Sequence, residues 1–229
     1  MRALGLIGGV SWESTAIYYR LLNTMTRERL GGLHSARLIL WSVDFADIAA
    51  RQSAGEWDSL TASMVDAARR LEAAGAEAVV ICANTMHKMA DEVAAAVGVP
   101  LLHVADATAQ AVRAAGSARP ILLATRYTME QAFYRDRLEA NGVTAVIPDQ
   151  AGRDRVHAII YDELCQGIVR PESKAVLLDE IARLRGRGGD GVILGCTELG
   201  MILSAGDLDI PVFDTTVLHA RRAVDFALG

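Results

Sequence analysis

Short apolar runs alternate along this chain with longer segments in which apolar residues recur every three or four positions. The runs Ala3–Gly8, Arg37–Val43, Ala78–Ile81, Pro120–Ala124, Val143–Ile147 and Gly191–Leu194 have strand length, and "PLLHV" at Pro100 and "PVFDT" at Pro211 are shorter candidates. Helical patterns cover Thr15–Leu30, Trp57–Ala74, Met86–Val97, Ala105–Ala115, Met129–Ala140, Asp154–Gln166, Pro171–Arg185 and Thr216–Ala227. Pro171 fits a first helical turn, where its missing N–H costs nothing. The strand–helix alternation predicts an α/β chain with mainly parallel sheets.

The pattern also repeats. "GAEAVVICANT" (Gly75–Thr85) resembles "GGDGVILGCTE" (Gly188–Glu198), and each is followed by a helix-length segment, a Val-Pro or Ile-Pro, a short strand and a helix. The start, "LGLIGGVSWESTAIYYRLL", resembles "ILLATRYTMEQAFYRDRL" from Ile121. Two pseudosymmetric lobes follow, one formed by 1–104 with 214–229 and one by 105–213, each a mainly parallel sheet flanked by helices. Ligands bind at the carboxyl ends of parallel strands. Four such ends carry small polar residues here: Gly8–Ser11, Cys82–Thr85, Thr125–Thr128 and Cys196–Glu198. Two lobes facing each other would gather them in one small-molecule cleft.

Aligned without a gap, the repeat places Gly195 on Cys82, Cys196 on Ala83, Thr197 on Asn84 and Glu198 on Thr85. Neighbours on a strand point to opposite faces, so if position 83 faces the cleft, Cys82 faces the core. Cys196 precedes an apolar helical stretch starting near Leu199, and amides at a helix N-terminus lower a thiol's pKa. The plain alternative is a buried cysteine at a strand end with a capped turn. Asn84, Thr85 and Thr197 offer donors for a carboxylate, and the same residue types also cap helices.

Composition narrows the chemistry. Net charge is −5 with no long basic run, which leaves no footprint for nucleic acid. No apolar run approaches a membrane span, and the apolar start before Ser11 is too short for a signal-peptide core, so the cytoplasm is the expected location. Cys82, Cys165 and Cys196 are too widely spaced for a disulfide framework, and the five histidines show no metal-site spacing. "GLIGGVS" is a glycine turn and not a dinucleotide fingerprint. Only Lys88 and Lys174 are available for a Schiff base, and neither has a phosphate cup beside it, which argues against pyridoxal phosphate.

Taken together, "GLIGGVSWEST", "LGGLHSARLILWSVDF", "ANTMHK", "RYTMEQAFYRDRL" and "GCTELG" resemble the cofactor-independent aspartate/glutamate racemase family over essentially the whole chain. The resemblance implies two α/β lobes with an amino acid or dicarboxylate between them, no cofactor and no metal. It implies a homodimer with D-amino-acid chemistry: one residue removes the α-proton and a second returns a proton from the opposite face. In typical members both are cysteines, and their positions here are Ala83 and Cys196. Substrate contacts would fall near Val10, Gln52, Asn84, Thr85 and residues 163–165. Ser11, Thr125, Thr128, Thr197 and Glu198 join them as strand-end polar residues, and Thr85 is a candidate proton donor alongside a water in the space left at Ala83.

This chain departs from the family twice. Ala83 carries no acid–base group, and Cys165 stands where some relatives place a lysine for a distal carboxylate; Arg51, Lys88 or Arg126 are the alternative cations. Beside racemisation stand a single-base decarboxylase or isomerase, and a non-catalytic amino-acid or dicarboxylate binder.

Overall fold

A computed structural model describes residues 1–229. The chain divides into two compact units, Met1–His103 with His219–Gly229, and Val104–Leu218.

The first unit is built on a parallel sheet of β1 (Leu4–Gly8), β2 (Leu38–Ser42) and β3 (Ala78–Ile81), in the order β2-β1-β3. Leu101 extends it by one parallel bridge to Val79. β1 and β3 are buried along their whole length, as continuous apolar runs predict for central parallel strands. Their side chains divide by alternation between two cores. Leu4, Leu6, Ala78, Val80 and Cys82 pack with Tyr18 and Leu22 of α1 (Trp12–Leu30), and with Ala220, Ala223 and Val224 near the chain end. Ile7, Val79, Ile81 and Ala83 pack on the other face with Ile48 of α2 (Phe45–Ala54), and with Leu60, Met64 and Leu71 of α3 (Trp57–Ala73). Cys82 therefore lies in the core opposite Ala83, as the strand period requires.

The second unit has its own parallel sheet, β4 (Ile121–Leu123), β5 (Val192–Leu194) and β6 (Val212–Asp214), with β5 central. A single core joins these strands to helices that include α5 (Val104–Ala114), α7 (Ala132–Ala140), α8 (Gln150–Ala158) and α9 (Pro171–Arg185). The first unit also holds α4 (Ala90–Ala95), the second the short α6 (Arg126–Glu130), and the last helix, α10 (Thr215–Leu228), runs from the second unit's segment into the first unit's. No helix is long and apolar enough to cross a membrane.

Several expected elements differ from those observed. The periodicity leaves α2 unassigned, yet its end signals are present. Asp44 accepts from the Ala46 amide at 3.0 Å, and Gly55 ends the helix at φ 73°, where a side chain would be strained. Met129–Ala140 is two helices, α6 and α7, broken at Gln131, whose backbone is extended. Asp154–Gln166 begins earlier, at the Asp149 cap, and winds through π-helical Ile159–Glu163 into a 3₁₀ turn, Leu164–Gln166. Met86–Val97 is a 3₁₀ turn, Thr85–Met89, followed by α4. Val143–Ile147 contributes one bridge, Ile121 to Val146, instead of a strand.

Candidate active site

Each sheet delivers its polar residues just past a buried strand. In the first unit, β1 ends in Gly8–Gly9. Gly9 has φ 88°, and a β-carbon there would run into the Val43 carbonyl, so this glycine pair serves a close chain crossing. Ser11 then caps α1, accepting from the Ser14 amide at 3.5 Å, and Val10 and Ser11 are both buried. Beyond β3, Ala83, Asn84 and Thr85 form the turn into the 3₁₀ segment, each less than a tenth exposed. The Ala83 carbonyl accepts from His87 Nδ1 at 2.8 Å. Gln52 is buried beside this turn and donates through Nε2 to the Met86 sulfur at 3.2 Å.

That turn belongs to a histidine cluster which motif spacing does not reveal. His219 Nε2 meets the Leu102 carbonyl at 2.6 Å, so Nε2 carries the proton and Nδ1 accepts from the Tyr18 hydroxyl at 2.8 Å. Burial holds the His219 imidazolium down to a pKa of about 3, with His87 adding to the effect. The His87 ring centroid is 4.7 Å from that of His103 and 5.5 Å from that of His219. The signal for His103 was its place in "PLLHV", at the carboxyl end of a short strand.

In the second unit, Gly195 follows β5, at a point where a β-carbon would meet Leu122 Cδ1 at 2.8 Å, and Cys196 comes next. The Cys196 thiol donates to Glu198 Oε2 at 2.9 Å, and the Thr197 hydroxyl donates to the same oxygen at 2.5 Å. All three residues are buried. The Cys196 thiol sits well above its ordinary pKa, first because it is buried and then because Glu198 and Cys165 are beside it; the Glu198 amide opposes this only weakly. The expected lowering by a helix terminus is thus overturned. Only a five-residue 3₁₀ segment, Thr197–Met201, follows Cys196, which is too short to build the dipole of a regular helix.

Leu164–Gln166 packs against Thr197–Met201. Cys165 is half-buried there, and its thiol is also pushed up, by burial and by Glu198. Tyr161 is held neutral by burial, next by Tyr127, and then by Cys165, Cys196 and Glu198. Thr125 and Thr128 are buried at the start of α6, their hydroxyls 3.3 Å apart, with Thr125 capping the helix. Of the candidate cations, Arg51 pairs with Asp47 and donates to Ser63 Oγ at 2.9 Å. The Lys88 ammonium stands 4.9 Å over the Trp57 ring, and the Arg126 guanidinium lies 5.8 Å from the Tyr127 ring. No group of three or more His, Cys, Asp or Glu side chains is arranged to hold a metal ion.

The Asp/Glu/hydantoin racemase family model matches residues 7–223. This chain belongs to that family. A solved Yersinia pestis structure, provisionally named an Asp/Glu racemase, is 50% identical and superimposes with a TM-score of 0.93 over 100% of both chains. The structure of an aspartate racemase homologue from Pyrococcus horikoshii OT3 is 33% identical, with a TM-score of 0.88 over 100% of both chains. The broad specificity amino-acid racemase RacX of Bacillus subtilis (strain 168) is 26% identical over 178 residues, covering 75% of this chain and 74% of its own. The two parallel sheets flanked by helices match the two-lobed racemase fold, and the family places this chain among amino-acid racemases.

Proposed function

We propose that this chain racemises α-amino acids without pyridoxal phosphate, using Cys196 as the base that removes the α-proton. The observation that carries the reading is the buried thiol–carboxylate pair of Cys196 and Glu198, at the carboxyl end of a central parallel strand in a chain of this family. A buried thiol that sits well above its ordinary pKa is a poor base until its own proton has somewhere to go. The Glu198 carboxylate lies within hydrogen-bond distance to receive it, so the working base is the pair. Asn84, Thr85 and Thr197 are assigned to the substrate carboxylate, where donors stabilise the enolate-like charge that develops on deprotonation. Val10, Ser11, Gln52, Thr125, Thr128 and Cys165 complete the assigned contacts.

The substrate range extends beyond aspartate and glutamate in this reading. Cys165 offers no positive charge to a distal carboxylate, and the Glu198 carboxylate repels one, while Arg51 and Lys88 are engaged with Asp47 and Trp57. The RacX likeness, a relative named for broad specificity, points the same way. The reading also includes a cytoplasmic homodimer without nucleic-acid or membrane partners, and light scattering tests the oligomer.

The test is α-hydrogen exchange in heavy water over a panel of L- and D-amino acids, read by mass and by chiral chromatography. Exchange that disappears in Cys196→Ser supports the assignment; full retention of rate in that variant removes Cys196 from the mechanism. Ala83 favours a second reading, a single-base enzyme. Exchange with retained configuration would select it, and inversion selects racemisation.

A further inference from the structure

The first unit's sheet has one covered edge and one open edge. Beside β3, the Val79 amide donates to the Pro100 carbonyl and the Leu102 amide donates to the Val79 carbonyl, both at 2.9 Å. β2 pairs only with β1. The Leu4 amide donates to the Arg37 carbonyl at 2.9 Å, and the Val43 amide donates to the Gly8 carbonyl at 3.0 Å. Odd positions thus face β1, and Leu38, Leu40 and Ser42 turn their N–H and C=O groups outward, away from any partner in the chain. Folded proteins blunt such an edge with lysine, proline or a bulge. The run "LILWS" has none of these and registers with β1 without interruption.

We propose that the open edge of β2 and the exposed flank of α1 beside it join this chain to a second copy of itself, strand to strand and antiparallel about a twofold axis at Leu40. This rests on the homodimer of the reading above and names the surface that forms it. Every residue involved belongs to the first unit.

The outward groups are symmetric about Leu40. A twofold axis perpendicular to the sheet sets Leu40 against Leu40 of the second copy, and Leu38 against its Ser42. Each outward amide then meets an outward carbonyl, and two three-stranded sheets become one of six strands.

The same axis suits α1. A β-carbon at Gly8 would meet Thr15 Cγ2 at 2.5 Å and Leu40 Cδ1 at 2.9 Å, so Thr15 and Leu40 stand level. From there the helix runs back along the strand, and Asn23 Oδ1 receives the Ala36 amide at 3.0 Å. Trp12, Ala16, Tyr19 and Asn23, at i, i+4, i+7 and i+11, form one stripe of the helix. Trp12, Ala16 and Tyr19 are exposed. Turning α1 over about the level of Thr15 and Ala16 brings Trp12 of one copy to Tyr19 of the other. It also brings Glu13 to Arg20, with the small Ala16 at the crossing. Arg29 of this helix pairs with Asp225, whereas Glu13 and Arg20 have no ion pair in their own chain. The opposite charges therefore match between copies.

The exposed area fits a dimer. Tyr19 and the fully exposed Leu33 line one hollow of about 480 Å³ beside α1. With Trp12 66% exposed, Leu40 48% and Trp41 38%, these five side chains leave roughly 600 Å² open, at ~200 Å² per large side chain. A standard interface buries ~800 Å² per partner, and Ala16, Arg20 and Asn23 supply the remainder. The second unit exposes only Ile168 and Val169 among its large apolar residues.

The experiment is sedimentation velocity over a micromolar concentration series for wild type and Leu40→Lys, with circular dichroism melts to establish folding. Wild type should be a dimer. Leu40→Lys puts two ammonium groups together at the axis and is expected to weaken the dimer ~10²-fold or more. Leu40→Cys tests the register without a charge. Its two α-carbons stand about 5.5 Å apart in the antiparallel pair, so a short bismaleimide should link two chains. Ile168→Cys, on the second unit, should stay unlinked. A folded Leu40→Lys that dimerises within threefold of wild type would overturn this surface and leave the homodimer standing. Absence of the Leu40→Cys link in a dimeric protein overturns the register, even where Leu40→Lys does not fold. A monomeric wild type sinks the homodimer and this surface together, while the exchange assay on Cys196 still decides the racemase reading separately.

Discussion

The Cys196 thiol and the Glu198 carboxylate, two residues apart, share a hydrogen bond of 2.9 Å in a buried setting. The carboxylate raises the thiol's pKa and also offers a place for its proton. Removing the negative charge makes the thiol easier to ionise, but it takes away the acceptor. In Glu198→Gln the loss of the acceptor dominates, and exchange is expected to fall ~10²–10⁴-fold, the usual range for a positioned acid–base group. Steady-state kinetics should place the loss in kcat, with KM changing much less.

Cys82 provides the contrast. It is fully buried on the sheet face opposite Ala83, and burial raises its pKa far above the thiol range. Cys82→Ala should keep exchange and inversion within severalfold of wild type. A thiol reagent should modify Cys82 in the native protein only at the rate of opening. Mass spectrometry of peptides after pulse labelling reads both thiols at once.

A functional group at position 83 should change the balance of products. Ala83→Cys is expected to raise inversion relative to exchange with retention, because it supplies an acid–base group there. Position 83 is 7% exposed and packed with Met86 and Met89, so the added sulfur costs about 1–3 kcal/mol of stability from crowding. Urea melts and the chiral assay together separate the two effects.

His219 makes stability depend on pH. Its folded pKa, about 3, lies below the ordinary ~6.5 of an unfolded histidine, chiefly because it is buried. The unfolded chain therefore binds a proton that the folded chain refuses. This contribution is fully present above ~6.5 and is lost as pH falls toward 3, at up to ~1.4 kcal/mol per pH unit. Urea midpoints measured from pH 7.5 to 4 should decline, and His219→Gln should flatten the decline.

The sequence alone determined the α/β class, the duplication and the strand ends that carry polar residues, because burial imposes periods of two and 3.6 on side chains. It also separated Cys82 from Ala83, since alternation along β3 needs no tertiary information. The five-residue 3₁₀ turn after Cys196 could not be told from a helix start, because both begin with the same residue types. Tertiary structure alone decided the state of the Cys196 thiol, which depends on burial and on the direction of one carboxylate oxygen. It alone assembled His87, His103 and His219 as well: residues far apart in the chain meet only where the ends of parallel strands and the returning last helix converge.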